Sequence, residues 1–102
     1  MNMANLMKQA QQMQTKMAAL KKELHEREID VSVGGGAVQL KMNGRQEIKE
    51  LKISKEAVDP EDVETLEELL QMAFNQGSKE THEMVEKSLS KITGGMHIPG
   101  LF

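Results

Sequence analysis

The stretch IDVSVGGGAVQLKMNG, residues 29–44, determines the predicted fold. Its first five residues alternate apolar and polar side chains, which predicts a strand with one buried face. Three glycines follow and predict a flexible turn, after which AVQLKMN alternates in the same way. Two short strands separated by a turn predict an antiparallel pair. The side chains expected on the buried faces are those of Ile29, Val31, Val33, Val38, Leu40 and Met42.

A second turn and a third strand follow. Asn43 and Gly44 predict a two-residue hairpin, because both central positions of a type I′ turn need positive φ. The third strand is predicted at about residues 47–53. Its apolar alternation shifts between Ile48 and Leu51, which predicts a β-bulge there. Three strands joined by two tight turns form an antiparallel meander.

The segment before the meander predicts one long helix, from about residue 3 to residue 26. It contains no Gly or Pro, and its Gln, Lys, Met, Ala and Leu residues are good helix formers. At about 1.5 Å per residue the helix is roughly 35 Å long. Its apolar residues recur at alternating intervals of three and four, as in a heptad seam, so they need a matching stripe on a helix of the same or a second chain. The seam residues are Met3, Leu6, Ala10, Met13, Met17, Leu20 and Leu24.

A second long helix is predicted after the meander. Asp59 followed by Pro60 is typical of a helix start, with Asp59 as the N-cap. Gly77 lies inside the helix and predicts either a close approach of this helix or a bend. Gly94 and Gly95 predict the helix end. The apolar face consists of Val63, Leu66, Leu69, Leu70, Ala73, Phe74, Met84, Val85, Leu89 and Ile92.

The predicted fold class is therefore α+β, in the order α-β-β-β-α, with a three-stranded antiparallel meander between two long terminal helices. Residues 1–102 are expected to form a single domain. With 38% apolar residues, two aromatic residues and nine methionines, a monomer would have a marginal core, so we expect an oligomer. The apolar tail MHIPGLF is expected to dock on the body of the protein or on a partner.

The composition also bounds the location of the protein. It has no cysteine, which fits a reducing compartment. No apolar run is long enough to span a membrane, and the N-terminus lacks the unbroken apolar region of a signal peptide. We expect a cytoplasmic protein.

Charge is distributed unevenly along the chain. The net charge is −3, yet residues 1–22 contain four lysines and no acidic residue, whereas residues 56–102 contain ten acidic residues and three lysines. One face of the first helix is therefore polar and cationic, which is either a solvated surface or a site for phosphates. If this helix binds phosphates, the candidate residues are Lys8, Lys16 and Lys22, followed by Lys21.

No catalytic, cofactor or metal site is predicted. His25, His82 and His97 lie far apart in the sequence, and none has the spacing of metal ligands. The triple glycine lies between strands and lacks the GK[ST] ending of a phosphate loop. A non-enzymatic protein is therefore expected. Two hypotheses remain: a protein that binds a phosphate backbone, which predicts salt-sensitive association with any DNA, and an adaptor whose seam binds a partner helix, which predicts indifference to DNA.

Three stretches resemble the YbaB/EbfC family of bacterial nucleoid-associated proteins. They are NLMKQAQQMQ at residues 5–14, AVQLKMNG at residues 37–44 and GGMHIPGLF at residues 94–102. The opening and the GGM-x-IPG ending are fairly specific in combination, and the resemblance covers nearly the whole chain.

This resemblance implies a homodimer in which the sheets join and the long helices project like the arms of tweezers. It also implies binding of double-stranded DNA with weak sequence preference in the nucleoid, and a role in chromosome organisation and gene regulation. The alternative is an adaptor linked to the replication or recombination machinery, since family members tend to be encoded near such genes. The family attributes its DNA contacts to the terminal helices, which here offer Lys8, Lys16, Lys21 and Lys22 on the first helix and Lys79, Lys87 and Lys91, set among acidic residues, on the last.

Overall fold

The computed structural model describes residues 2–92. The predicted α-β-β-β-α order and α+β class are confirmed, and the first helix begins and ends where the sequence predicts. Two short 3-10 turns, at Gly34–Gly36 and Lys55–Ala57, complete the chain in this range. The elements are α1 (Met3–Glu26), β1 (Glu28–Val33), β2 (Val38–Asn43), β3 (Ile48–Ile53) and α2 (Val63–Ile92).

The three strands form one antiparallel sheet in the order β1-β2-β3. Its register confirms the predicted β-bulge in the third strand. Lys41 pairs with Glu50, whereas the next residue, Met42, pairs with Ile48. Lys49 is therefore the extra residue on β3, and it shifts the apolar alternation of the strand by one position.

The predicted two-residue hairpin at Asn43-Gly44 is wrong. The Asn43 N–H donates to the Glu47 carbonyl at 3.0 Å, and the Gln46 N–H donates to the Asn43 carbonyl at 2.8 Å. Gln46, rather than Asn43 or Gly44, has positive φ, at 65°. This is a three-residue loop, in which a turn is followed by a left-handed residue.

The Asn43 side chain explains the longer loop. Its Oδ1 accepts from the backbone N–H groups of Arg45 and Glu47, each at 3.0 Å, and its Nδ2 donates to Glu47 Oε1 at 2.9 Å. Gly44 is needed for a different reason from the one predicted: a Cβ at this position would clash with the carbonyl oxygen of Leu24 in α1. The hairpin therefore rests directly on the end of α1.

The predicted start of the second helix is also wrong. Asp59 and Pro60 belong to a separate turn, closed by the Asp62 N–H donating to the Asp59 carbonyl at 3.0 Å. Pro favours the second position of such a turn as well as the first of a helix, so the two readings compete. The cap is Asp62, whose Oδ1 accepts from the Thr65 N–H at 3.3 Å and whose Oδ2 accepts from the Thr65 hydroxyl at 2.6 Å. The helix begins at Val63.

The main core lies between α2 and the first two strands. The side chains predicted to be buried on β1 and β2 are buried there, except that of Ile29, which is half-buried. Gly77 does not interrupt α2, and it allows the predicted close approach, here to Met42 of the sheet. The buried residues of this core are Val31, Val33, Val38, Leu40, Met42 and Ala73.

A second cluster joins the C-terminal half of α1 to α2. Leu24 packs with Val85 and Leu89, and the half-buried Met17 and Leu20 extend the contact. The predicted seam is therefore partly confirmed, with a partner stripe in the same chain. The predicted helix end at Gly94-Gly95 and the apolar tail lie outside the described residues.

Candidate nucleic-acid interface

Helix α1 is a long helix that is capped at both ends. Its first turn is capped by Asn2, whose side-chain oxygen accepts from the Ala4 N–H at 3.0 Å. Its last turn is closed by Arg27, whose N–H donates to the Glu23 carbonyl at 3.0 Å and whose guanidinium lies 2.9 Å from the Glu23 carboxylate. Helix-forming residues between these ends keep 24 residues in one helix, about 36 Å long.

Within residues 2–92, contacts with the rest of the protein hold only the C-terminal end of α1. Along the seam the exposed fraction is 0% at Leu24, intermediate at Leu20 and Met17, 51% at Met13 and 74% at Met3. Each of residues 2–16 is exposed. Among the described residues, none covers the N-terminal half of α1, which is called the arm below.

Three of the four candidate lysines lie on the outer side of α1, two on the arm and one, Lys22, near the anchored end. Lys8 and Lys22 are fourteen residues apart, close to four helical turns, so they lie on one face about 21 Å from each other. Lys16 lies about a quarter turn to the side of Lys8. All three are exposed. Lys21 is half-buried and lies on the opposite side of the helix, beside the seam residue Leu20.

These lysines have no ionic partner within residues 2–92. None of the ion pairs found there within 4.0 Å includes Lys8, Lys16, Lys21 or Lys22. The first acidic residue of α1 is Glu23, and its carboxylate is paired with Arg27. The arm thus presents cations that can approach phosphates without repulsion from neighbouring carboxylates.

The lysines of α2 lie in a different electrostatic setting. Lys79, Lys87 and Lys91 are exposed, but the same stretch carries exposed or half-buried glutamates. His82 Nε2 lies 3.3 Å from one of them, Glu86. A phosphate approaching this stretch would meet both signs of charge.

The outer face of the sheet is also charge-balanced. Lys41 and Lys52 lie 4.0 Å and 3.6 Å from the carboxylate of Glu50, which pairs with both. The basic residues of the meander, suggestive in the sequence, are thus partly neutralised by a neighbour across the strands. This leaves α1 as the more uniformly cationic surface.

Sequence reasoning missed one surface, the core-facing side of β3. Leu51 pairs with Leu40 and Ile53 with Val38, so these side chains point to the same side of the sheet as the core. Helix α2 covers β1 and β2 instead, and Ile48, Leu51 and Ile53 remain 36–43% exposed. Alternation in the sequence indicates which side an apolar residue faces, but not whether anything covers it.

Two further findings concern metal ligands and membrane spans among the described residues. Residues 2–92 contain no cluster of three His, Cys, Asp or Glu residues that could hold a metal ion. Among their helices, none is long and apolar enough to cross a membrane.

The fold and the arm define a class of protein: an α-β-β-β-α protein with a cationic terminal helix. A sequence model of the YbaB/EbfC DNA-binding family matches residues 1–96, so the chain belongs to this family. It is a family of nucleoid-associated DNA-binding proteins and not a family of enzymes.

Named relatives and a solved structure agree with this assignment. The chain is 49% identical to a nucleoid-associated protein of Acetivibrio thermocellus, with 99% of this chain and 90% of the relative aligned. It is 48% identical to a nucleoid-associated protein of Alkaliphilus metalliredigens, over 99% of this chain and 89% of the relative. The crystal structure of the uncharacterized protein HP0035 from Helicobacter pylori is 26% identical, with a TM-score of 0.75 over 93% of this chain and 99% of that one.

Proposed function

We propose that the protein binds double-stranded DNA as a homodimer, through the cationic outer side of α1. Lys8, Lys16 and Lys22 contact phosphates, and Lys21 contributes less. The whole chain, residues 1–102, works as one DNA-binding domain in the nucleoid. The observation that carries this proposal is the acid-free stretch of α1 before Glu23, whose lysines are free of ion pairs within the described part of the chain.

The contacts available on α1 favour weak sequence preference. Lysine and glutamine side chains bind phosphate oxygens, and such contacts position a protein on the duplex without reading its bases. Lys8 and Lys22 lie about 21 Å apart, less than one turn of duplex, which is about 34 Å. One arm can therefore meet phosphates within a single helical turn, and a role in chromosome organisation and gene regulation would follow from binding at many sites.

A dimer is supported by the uncovered side of β3. Ile48, Leu51 and Ile53 form an apolar row that α2 leaves open. The Gln46 side chain donates to the Ser78 carbonyl at 3.1 Å, so this side of α2 faces the β2–β3 hairpin. Phe74, one helical turn before Ser78, lies on the same side and is 37% exposed. We propose that a second copy covers this row and joins the two sheets.

The dimer matters for affinity. Each arm offers about four lysines, and each phosphate contact contributes about 0.9 to the slope of log K against log salt. Two arms on one duplex double the contacts and make the second binding event intramolecular.

The test is a binding titration of the purified protein on a random-sequence duplex across a salt series, with the mass in solution determined in parallel. The proposal predicts a dimer whose log K falls linearly with log salt, and no marked preference among unrelated duplexes. A dimer that fails to bind even at low salt would contradict the proposal and favour the adaptor hypothesis.

A further inference from the structure

The inner side of the α1 arm presents an apolar stripe that the described residues leave uncovered. Met3, Leu6 and Met13 continue the seam that Leu24 begins, yet they are 43–74% exposed. The stripe has the same three-and-four spacing along its whole length, so its exposure reflects how far the described part of its partner helix extends.

The packing of α1 against α2 shows at which residue of α1 this cover ends. Both pass the β2–β3 hairpin: Leu24 lies against Gly44, and Ser78 accepts from Gln46. From this level α1 runs towards its N-terminus and α2 towards its C-terminus, packed side by side. Leu24 packs with Val85 and Leu89, so it lies near the level of Val85. From Val85 to Ile92, α2 rises about 10 Å. The same length of α1 counted back from Leu24 ends at Met17. The uncovered seam therefore begins close to the level of Ile92.

The sequence that follows Ile92 fits this stripe in length and chemistry. It reads TGGMHIPGLF, residues 93–102, with four large apolar residues and no Asp, Glu, Lys or Arg. Ten residues can span up to about 33 Å, whereas the seam from Met13 to Met3 is about 15 Å long. The absence of charged side chains means that the segment neither repels the lysines of α1 nor pairs with them.

We propose that residues 93–102 cover the exposed part of the seam in the same chain. Their apolar side chains take the place that α2 holds nearer the sheet, and so complete the inner side of the arm. The outer side, with Lys8 and Lys22, stays open. The segment would stiffen the arm, because a solvated helical end held at one side only is free to fray.

Disulfide trapping tests this proposal. Because the sequence has no cysteine, only the introduced thiols can form a disulfide. In the full chain, the double variant Leu6→Cys with Ile98→Cys is oxidised under mild conditions and analysed by mass under denaturation. The proposal predicts an intrachain disulfide. The matched control is Lys8→Cys with Ile98→Cys, which places the first thiol on the outer side of α1 at nearly the same level and should give a much lower yield.

Equal yields from the two pairs would overturn the proposal. So would a disulfide formed only between chains, because it would show that a second copy supplies the segment.

A second measurement does not depend on disulfide geometry. The alkylation rate of Leu6→Cys is compared in the full chain and in the same chain carrying Ile98→Asp and Leu101→Asp. The proposal predicts that the thiol reacts several-fold faster once the segment is charged. An unchanged rate would contradict it. Neither measurement involves DNA, so either can fail while the proposed function holds.

Discussion

The two terminal helices differ in how they are held and in what they present. Helix α2 has 30 residues and carries a buried residue at every fourth position from Ala73 to Leu89. Helix α1 has 24 residues and one fully buried residue, Leu24, near its C-terminal end. Over these ranges α2 carries six acidic residues and three lysines, whereas α1 carries four lysines and two acidic residues. The buried residues of α2 are Ala73, Gly77, Thr81, Val85 and Leu89.

This difference assigns the two helices different roles, one in the core and one at the surface. A helix with a buried stripe of several turns belongs to the core, so loss of its contacts destabilises the whole fold. A helix anchored at one end can lose or gain contacts along its free half with little effect on the core. The cationic side chains are on the second kind of helix, where a ligand can reach them.

The largest expected effect comes from removing the anchor. Leu24→Ala should lower the free energy of unfolding by about 2–5 kcal/mol, because it leaves a cavity between α1 and α2. Met7→Ala, at a 63% exposed position of the free half, should stay within about 0.5 kcal/mol of the parent. Urea unfolding followed by circular dichroism measures both, and similar losses in the two variants would contradict the proposed one-ended anchoring.

The next effect concerns the uncovered side of β3. Leu51→Lys places a charge in the apolar row proposed to bind a second copy, so the mass in solution should fall from a dimer to the 11.4 kDa chain. Lys52→Gln, the neighbouring residue on the outer face of the same strand, should leave the dimer intact. Sedimentation at several concentrations makes the comparison, and a Leu51→Lys variant that remains dimeric would place the interface elsewhere.

A smaller difference is expected within α1 itself. Lys8→Ala should reduce the salt slope of DNA binding by about 0.9 per chain, whereas Lys21→Ala should change it less, because Lys21 is half-buried beside the seam. The measurement is a titration of each variant on one duplex at several salt concentrations. Equal changes would show that both sides of the helix meet phosphate.

The smallest effect is at the hairpin tip, where a hydrogen bond from the Asn43 side chain, aided by the charges of Lys49 and Arg45, lowers the pKa of Glu47. The folded state therefore favours the ionised carboxylate, and this contribution to stability is present above the unfolded pKa and is lost as pH falls through the lowered folded pKa. Glu47→Gln should be slightly less stable than the parent at neutral pH, and the gap should close in acid. Thermal unfolding from pH 7 to pH 3 measures this, and a gap that widened in acid would contradict the assignment.

The sequence predicted the regular elements well because their signals are periodic. The heptad spacing of α1 and the alternation of β1 and β2 extend over many residues. The shift in β3 predicted a bulge between Ile48 and Leu51, and the structure places it at Lys49. The two errors, the hairpin type and the start of α2, lie where the hydrogen bonds of one side chain determine the local structure. The Asn43 side chain accepts a hydrogen bond from the Glu47 N–H and so stabilises a three-residue loop in place of a type I′ turn. Asp62, rather than Asp59, caps α2.

The positions of the candidate lysines could be inferred in part from the sequence, and their contact with DNA stays a prediction. The helical period places Lys8, Lys16 and Lys22 towards one side from the sequence alone, and the structure shows all three exposed. The lower exposure of Lys21 depends on how α1 packs near its base, which the sequence does not specify. The open side of β3 was not predicted either, since it depends on which strands α2 crosses.

The central claim is that α1, and not α2, meets the phosphate backbone, and two triple variants test it directly. Lys8→Ala, Lys16→Ala and Lys22→Ala together are compared with Lys79→Ala, Lys87→Ala and Lys91→Ala, which remove the same charge from α2. On a random-sequence duplex across a salt series, the account predicts that the α1 variant loses affinity for all sequences alike and loses up to about 2.7 units of salt slope per chain. The α2 variant should lose much less. Unchanged binding by a folded α1 variant, or an equal loss in the α2 variant, would contradict the account.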